Sequence, residues 1–166
     1  MGAFRAKEGR LKAVLAPIIR DYDFVFLDCP SSLSLLPVNA VVAADAFIVP
    51  VVPQFLAVTG VRNLISAAER TAFDHGSRVR PLGLLLTMVD YRIKSTRLTV
   101  DELRSEYASL VFAMEIRVNT RLAEAPGAGQ TIFQYDPKAT GAAAYQLMAG
   151  EFVMRAKQGG GGQVPA

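Results

Sequence analysis

Asp28 is the side chain whose position most invites chemistry. It follows Phe24-Val25-Phe26-Leu27, an apolar run of strand-forming residues without polar alternation, and precedes Cys29 and Pro30. Such a run is too short for a helix and expects cover on both faces, so the pattern predicts a central parallel strand. Pro30 ends that strand because it has no N–H for a ladder. Open α/β sheets bind ligands beyond the carboxyl ends of their strands, and a lone carboxylate there suits a Mg²⁺ ion or a phosphoryl-transfer site. An Asp that merely caps the next turn fits the same residues equally well.

Other groups able to do chemistry are sparse. Leu82 to Met88 forms a further apolar run that ends in polar residues, with Thr87 and Asp90 at its carboxyl end. Arg92, Lys94 and Arg97 then make a basic stretch expected in a loop, which could simply be solvated. Arg121 has the spacing for an ion pair with Glu124 three residues on, and Asp90 could cap the loop after its strand. The single cysteine, Cys29, excludes an internal disulfide framework, and the single histidine excludes the usual zinc spacings. With no second Cys or His to activate it, Cys29 reads as a small buried filler. His75, beside Gly76, reads as decoration of a helix C-terminus.

These residues need elements to position them, and the hydrophobic pattern supplies alternating helices and strands. Leu11, Val14, Leu15 and Ile18 recur at helical spacing and predict an amphipathic helix from about Arg5 to Ile19, which Pro17 can shorten. Ser31 to Leu36 reads as a loop, and Pro37 opens a short helix through Ala44. Ala46 to Val49 is a second buried strand that Pro50 and Pro53 end. Val61, Leu64, Ile65, Ala68 and Ala72 form the stripe of a longer helix that Gly76 stops.

Thr99 and Glu102 have the spacing of a capping box before a helix with Val100, Leu103, Tyr107 and Leu110 on its apolar face. Val111 to Ile116 is a short fourth strand or extended segment, and Asn119 to Pro126 one helical turn and a loop in which Gly127 and Gly129 give freedom. Asp136-Pro137 predicts an N-cap and first helical residue, with Tyr145, Met148, Ala149 and Phe152 on the buried face of a last helix. Strands separated by helices imply βαβ units and a parallel sheet. One partial domain is expected over residues 1–156, then a flexible tail over 157–166 containing Gly159 to Gly162.

Composition limits the classes of function. At 166 residues and 51% apolar, with mean hydropathy +0.27, the chain has ample material for a core and is not a disordered protein. A net charge of +3 and pI near 9.2 permit nucleic-acid contact without requiring it. No stretch approaches the roughly 18 consecutive apolar residues of a membrane span. The polar N-terminus lacks the pattern of a secretory signal, so a cytoplasmic location is expected.

Several runs, taken in order, carry a resemblance. Tyr22-Asp23-Phe24-Val25-Phe26-Leu27-Asp28-Cys29-Pro30, Asn39-Ala40, Ala43-Ala44-Asp45 and Ile48-Val49-Pro50-Val51 resemble the Walker-B half of the ParA/Soj family of plasmid and chromosome partitioning ATPases. Thr87-Met88-Val89-Asp90, Arg121 to Pro126 and Tyr135 to Ala142 resemble the same family in the same order. The resemblance implies a doubly wound parallel sheet of the P-loop NTPase type, incomplete at the N-terminus. It further implies dimerisation around ATP and Mg²⁺, non-specific DNA binding with association to the nucleoid, and stimulation by a ParB-like partner. Asp28 matches the Walker-B aspartate that holds Mg²⁺ through its water shell. Met88, Asp90 and Asn119, with the segment around Arg117, match positions near the adenine base. Arg92 and Arg121 match positions that contact DNA phosphates, with Lys94 and Arg97 close by.

Departures from the family pattern qualify the activity expected. The sequence holds no glycine-rich loop with Lys and Ser/Thr to cradle the phosphates, and no upstream switch aspartate to position the attacking water. Arg117 replaces the proline usual after Ile116, Ser31 a second proline, and Val52 a residue that is commonly polar. ATP hydrolysis by the chain alone is not expected, and exposed apolar surface favours self-association. Two alternatives stand beside a ParA-like role. A non-catalytic module would bind DNA, a ParB-like protein or a full-length ParA-like partner, whereas a receiver domain would need an acidic cluster and a strand-end Lys that are not evident. An amphipathic basic C-terminal helix for membrane binding is likewise not evident.

Overall fold

The computed structural model describes residues 7–30 and 34–158. Two compact units interleave along the chain, the first comprising Met1–Phe47 and Arg62–Arg80, the second Ile48–Val61 and Pro81–Ala166. In chain order the elements are α1 (Arg10–Leu15), α2 (Leu35–Ala43), β1 (Ala46–Val51), α3 (Ala57–Asp74), β2 (Arg80–Leu86), α4 (Lys94–Tyr107), α5 (Thr120–Glu124), α6 (Ile132–Tyr135) and α7 (Thr140–Lys157). Short 3-10 turns lie at Ile19–Asp21, Ala108–Leu110 and Ala125–Ala128. No described helix is long and apolar enough to cross a membrane.

In the first unit, α1 is shorter than the expected helix, bounded by Gly9 and by a turn over residues 16–18 that contains Pro17. Its Leu11 N–H, which an α-helix leaves without an internal partner, donates to Asn39 Oδ1 of α2 at 3.2 Å, and Asn39 Nδ2 donates to the Leu35 carbonyl at 2.9 Å. These bonds satisfy the polar ends of a residue that is only 7% exposed. Ser77 Oγ donates to the Val42 carbonyl at 3.2 Å. The expected stop at Gly76 is present: its φ of +68° suits glycine, and the Ser77 and Gly76 N–H groups return to the Ala72 and Phe73 carbonyls at 2.8 and 3.1 Å.

The predicted central strand at Phe24 to Leu27 is not formed. These residues carry no strand assignment, and Phe24, Val25 and Phe26 are 41%, 39% and 72% exposed. A short apolar run is consistent with a buried strand but does not by itself fix one.

The second unit holds the parallel sheet, with β1 beside β2. Pro50 does not end β1 as expected; it sits inside the strand with its ring exposed, a place open to proline where its missing N–H faces no ladder partner. On the other side of β2 runs the segment expected as a fourth strand or extended stretch. Phe112 N–H donates to the Leu84 carbonyl and Ile116 N–H to Leu86, each at 2.9 Å, and Val89 N–H donates to Ile116 at 3.1 Å. Parallel bridges pair Leu84 with Val111 and Val89 with Arg117. Four residues advance from Phe112 to Ile116 while β2 advances two, from Leu84 to Leu86. Ala113 to Glu115 therefore bulge out of register.

That bulge is held by α7. Ala113 N–H donates to both Glu151 carboxylate oxygens at 3.0 Å and Met114 N–H to one at 3.2 Å. Arg155 bonds Glu151 through Nε at 2.9 Å and donates to the carbonyls of Leu82, Leu110 and Val111 at 3.2, 3.1 and 2.9 Å. Its guanidinium stacks 4.3 Å from the Phe112 ring centre. Gly83 makes room for this: a Cβ there would lie 2.7 Å from the Leu110 carbonyl oxygen and 2.8 Å from Arg155 Nη1. Beneath lies a core of Leu85, Phe112 and Ile116, against which Ile48, Tyr145, Met148 and Phe152 pack. Ala149, expected on that face, is exposed.

Two helix starts also differ from expectation. Helix α4 begins at Lys94, so Lys94 and Arg97 lie on a helix and not in a loop, and Thr99 is internal rather than a cap. Thr96 and Thr99, each 7% exposed, join the stripe of Val100, Leu103 and Tyr107 at helical spacing, so burial of their methyl groups overrides their capping tendency. The last helix begins at Thr140, not at Pro137. Asp136 Oδ1 instead accepts the Lys138 N–H at 3.2 Å, closing a local turn. The expected tail at Gly159 to Gly162, the loop residue Ser31 and the helix start at Arg5 lie outside the described residues.

Candidate ligand cleft at the strand ends

At the carboxyl end of β2 the chain passes through Met88, which has φ +52°, and returns to the sheet at Val89. A positive φ is uncommon for a residue with a side chain, and here it leaves Met88 62% exposed. Beyond it, Asp90, Tyr91, Arg92 and Arg97 face Arg117, Asn119 and Thr120 across a cleft of about 610 Å³. This is the place where a parallel α/β sheet offers a ligand site. Of the residues expected from the sequence, Asp90, Arg92, Arg97 and Asn119 are brought together as lining of this cleft. Met88 adjoins it, Lys94 and Arg121 do not line it, and Asp28 belongs to the first unit.

The polar groups of the cleft are mutually engaged. Arg92 grips Asp90 in a fork, with Nε at 2.8 Å from Oδ1 and Nη2 at 2.6 Å from Oδ2, and the Arg92 N–H adds a third contact to Oδ1 at 3.0 Å. The side-chain bonds from Arg92, then its backbone N–H, hold the Asp90 carboxyl down to about 2. Arg97 Nε donates to the Tyr91 carbonyl at 2.7 Å. Tyr91 donates its hydroxyl to Glu115 Oε2 at 2.7 Å, and Arg117 stacks 5.0 Å from its ring centre while pairing with Glu115 at 3.3 Å. Burial, and then the bond to Glu115, push the Tyr91 phenol up. Glu115 is the last residue of the bulge described above.

Asn119 caps α5, its Oδ1 accepting the Arg121 and Leu122 N–H groups at 2.9 and 3.3 Å while Nδ2 donates to Thr140 Oγ1 at 2.8 Å. Both ends of its amide are thus engaged within the fold. Arg121 pairs with Glu124 at 2.9 Å, the ion pair anticipated from their spacing, and approaches Asp136 at 3.5 Å. The bond to Arg121, and then that from Tyr135, hold the Glu124 carboxyl below its ordinary range.

Asp28 is exposed, and among the described residues no group of three His, Cys, Asp or Glu side chains comes together. Mg²⁺ held through one carboxylate needs phosphate oxygens and further oxygen donors to complete its shell. Asp28 by itself does not make that site. Cys29, expected as a buried filler, is exposed, with Sγ 3.6 Å from the Leu27 carbonyl. Its partial burial and then the Asp28 charge push the thiol up, the direction opposite to nucleophilic activation. His75 lies just past the end of α3, as its place beside Gly76 suggested.

Residues 1–76 match a family model described as an AAA domain. The chain is 40% identical over 146 residues to the chromosome-partitioning ATPase Soj of Thermus thermophilus, covering 87% of this chain and 59% of Soj. It is 33% identical over 149 residues to the chromosome partitioning protein ParA of Myxococcus xanthus, covering 90% of this chain and 53% of ParA. Among solved structures, cobyrinic acid a,c-diamide synthase from Mycobacterium smegmatis with bound ATP analog and magnesium matches with TM-score 0.73 and 28% identity, over 92% of this chain and 56% of that one. The cell division ATPase MinD of Pyrococcus furiosus shares the fold, with TM-score 0.69 and 18% identity over 90% of this chain and 59% of that one. The chain thus spans somewhat more than half the length of the proteins it matches, and its α/β fold is part of the P-loop NTPase type. Over about nine-tenths of its length the chain is similar to a C-terminal portion of the ParA and Soj partitioning proteins.

Proposed function

We propose that this chain is the Walker-B-side, DNA-facing portion of a ParA-like partitioning protein, acting in the cytoplasm on nucleoid or plasmid DNA. The observation that carries this reading is the cleft at the sheet's carboxyl end, where Arg92, Arg97 and Arg117 gather. Lys94 opens the adjoining helix. Cations grouped in this way attract a phosphate backbone without reading its sequence. Arg121, paired with Glu124 and Asp136, has the weaker claim to a DNA contact. Within a complete nucleotide site Asp28 would serve Mg²⁺ and the residues Met88, Asp90 and Asn119 would border the base. The chain alone is not expected to hydrolyse ATP, since its sequence offers no phosphate cradle. The test is fluorescence anisotropy on a random-sequence labelled duplex at low salt: Arg97→Ala should weaken binding, and an unaltered affinity would reject the assignment.

A second reading, a non-catalytic module that binds a ParB-like protein or a full-length ParA-like protein, is favoured by the exposed apolar surface of the first unit. Val14, Phe26 and Leu36 are 67%, 72% and 73% exposed there. Size-exclusion chromatography should show concentration-dependent self-association; a soluble monomer at every concentration would count against it.

A further inference from the structure

We propose that Asp90 restrains the DNA affinity of this cleft by holding Arg92 in an intramolecular fork, so that a carboxylate and a backbone phosphate compete for one guanidinium. The inference rests on the DNA-binding reading above and concerns how strongly that face binds. Two parallel N–H···O bonds to a carboxylate use the same edge of the guanidinium that a phosphate would use. Arg92 therefore cannot serve both partners fully. Its side chain is 84% exposed and stands at the mouth of the cleft, whereas that of Asp90 is 19% exposed. An incoming strand can reach the arginine and not readily the aspartate.

The remaining charges make the fork matter. Arg117 is paired with Glu115, while Arg97 spends one N–H on the Tyr91 carbonyl and has no carboxylate partner among the described residues. Arg97 thus carries the attraction, with Arg92 held in reserve. An exposed ion pair contributes little to stability, so the fork is weak enough to open when a polyanion arrives.

Anisotropy titrations of a random duplex with wild type, Asp90→Asn, Arg92→Ala and the double variant test this. Asn at position 90 keeps an oxygen for the Arg92 N–H, so the turn should survive; circular dichroism checks it. Asp90→Asn should tighten binding severalfold and steepen the dependence of log K on log salt by about 0.9, one phosphate contact. The double variant should lose that gain, and in the wild-type background Arg92→Ala should cost less than Arg97→Ala. In Arg92→Ala the Asp90 carboxyl, followed by NMR, should titrate higher than in wild type. An unchanged affinity in Asp90→Asn, or a gain that persists in the double variant, would overturn the proposal while leaving the DNA reading intact. Absence of duplex binding by every protein at low salt would overturn both.

Discussion

Replacing Arg155 by Met removes the guanidinium but keeps an unbranched apolar stem, so the loss isolates what the head group does. The head group donates to three main-chain carbonyls, of Leu82, Leu110 and Val111, pairs with Glu151, and lies on Phe112. Leu82, Leu110 and Val111 are all at most 4% exposed, so water does not readily replace the lost donors. Taking about 1 kcal/mol for each orphaned carbonyl, at the lower end of the range because Arg155 is itself 18% exposed, gives a loss of about 3 kcal/mol. For a domain of this size that corresponds to a fall in Tm of about 6–12 °C. Urea unfolding followed by far-UV circular dichroism measures it, with the m-value showing whether the same surface is exposed. A loss below about 1 kcal/mol, or full rescue by Arg155→Lys with its single point of donation, would refute the clamp. Because the clamp fixes the bulge that presents Glu115, the variant should also disturb the Tyr91 wall, seen as a phenol titrating closer to its ordinary range.

Other perturbations follow from the same geometry. Gly83→Ala would drive a methyl into the Leu110 carbonyl at 2.7 Å, and should cost about 1–3 kcal/mol by overpacking, measured by the same unfolding curves. The Asp90 carboxyl has a folded value of about 2, below the ordinary value near 3.8. Its contribution to stability, small for an exposed pair, is present above the ordinary value and lost as pH falls from about 4 through 2; the Asp90 carboxyl followed by NMR should titrate below the ordinary value, and an ordinary value would contradict the fork. Calorimetric titration with ATP and Mg²⁺ should show no micromolar binding by this chain, and a dissociation constant in that range would mean that a phosphate cradle exists outside the motif.

Much of the alternation of helices and strands was legible because β2 is a continuous apolar run, α3 and α4 carry clear helical periodicity, and Gly76 stops α3 as a glycine at positive φ does. Phe24 to Leu27 read as a strand because a short apolar run matches one, but apolarity alone does not fix backbone conformation, and these residues carry no strand assignment. The cap spacing of Thr99 and Glu102 leaves Lys94 in the loop before it, whereas burial of Thr96 and Thr99 on the core face extends the helix back to Lys94. The individual cleft residues Asp90, Arg92, Arg97 and Asn119 could be named from the chain. Their mutual engagement could not, since the Asp90–Arg92 fork and the cap made by Asn119 depend on backbone geometry. The Glu151–Arg155 clamp had a faint signal in its spacing of four residues on a helix, but its targets lie some 40 to 70 residues away in sequence.

The DNA-binding claim is tested most directly by titrating a labelled duplex of random sequence with the purified chain, without nucleotide, across a series of salt concentrations. Saturable binding that is indifferent to sequence and weakens steeply with salt is expected. No binding at low salt, or binding insensitive to salt, would contradict it.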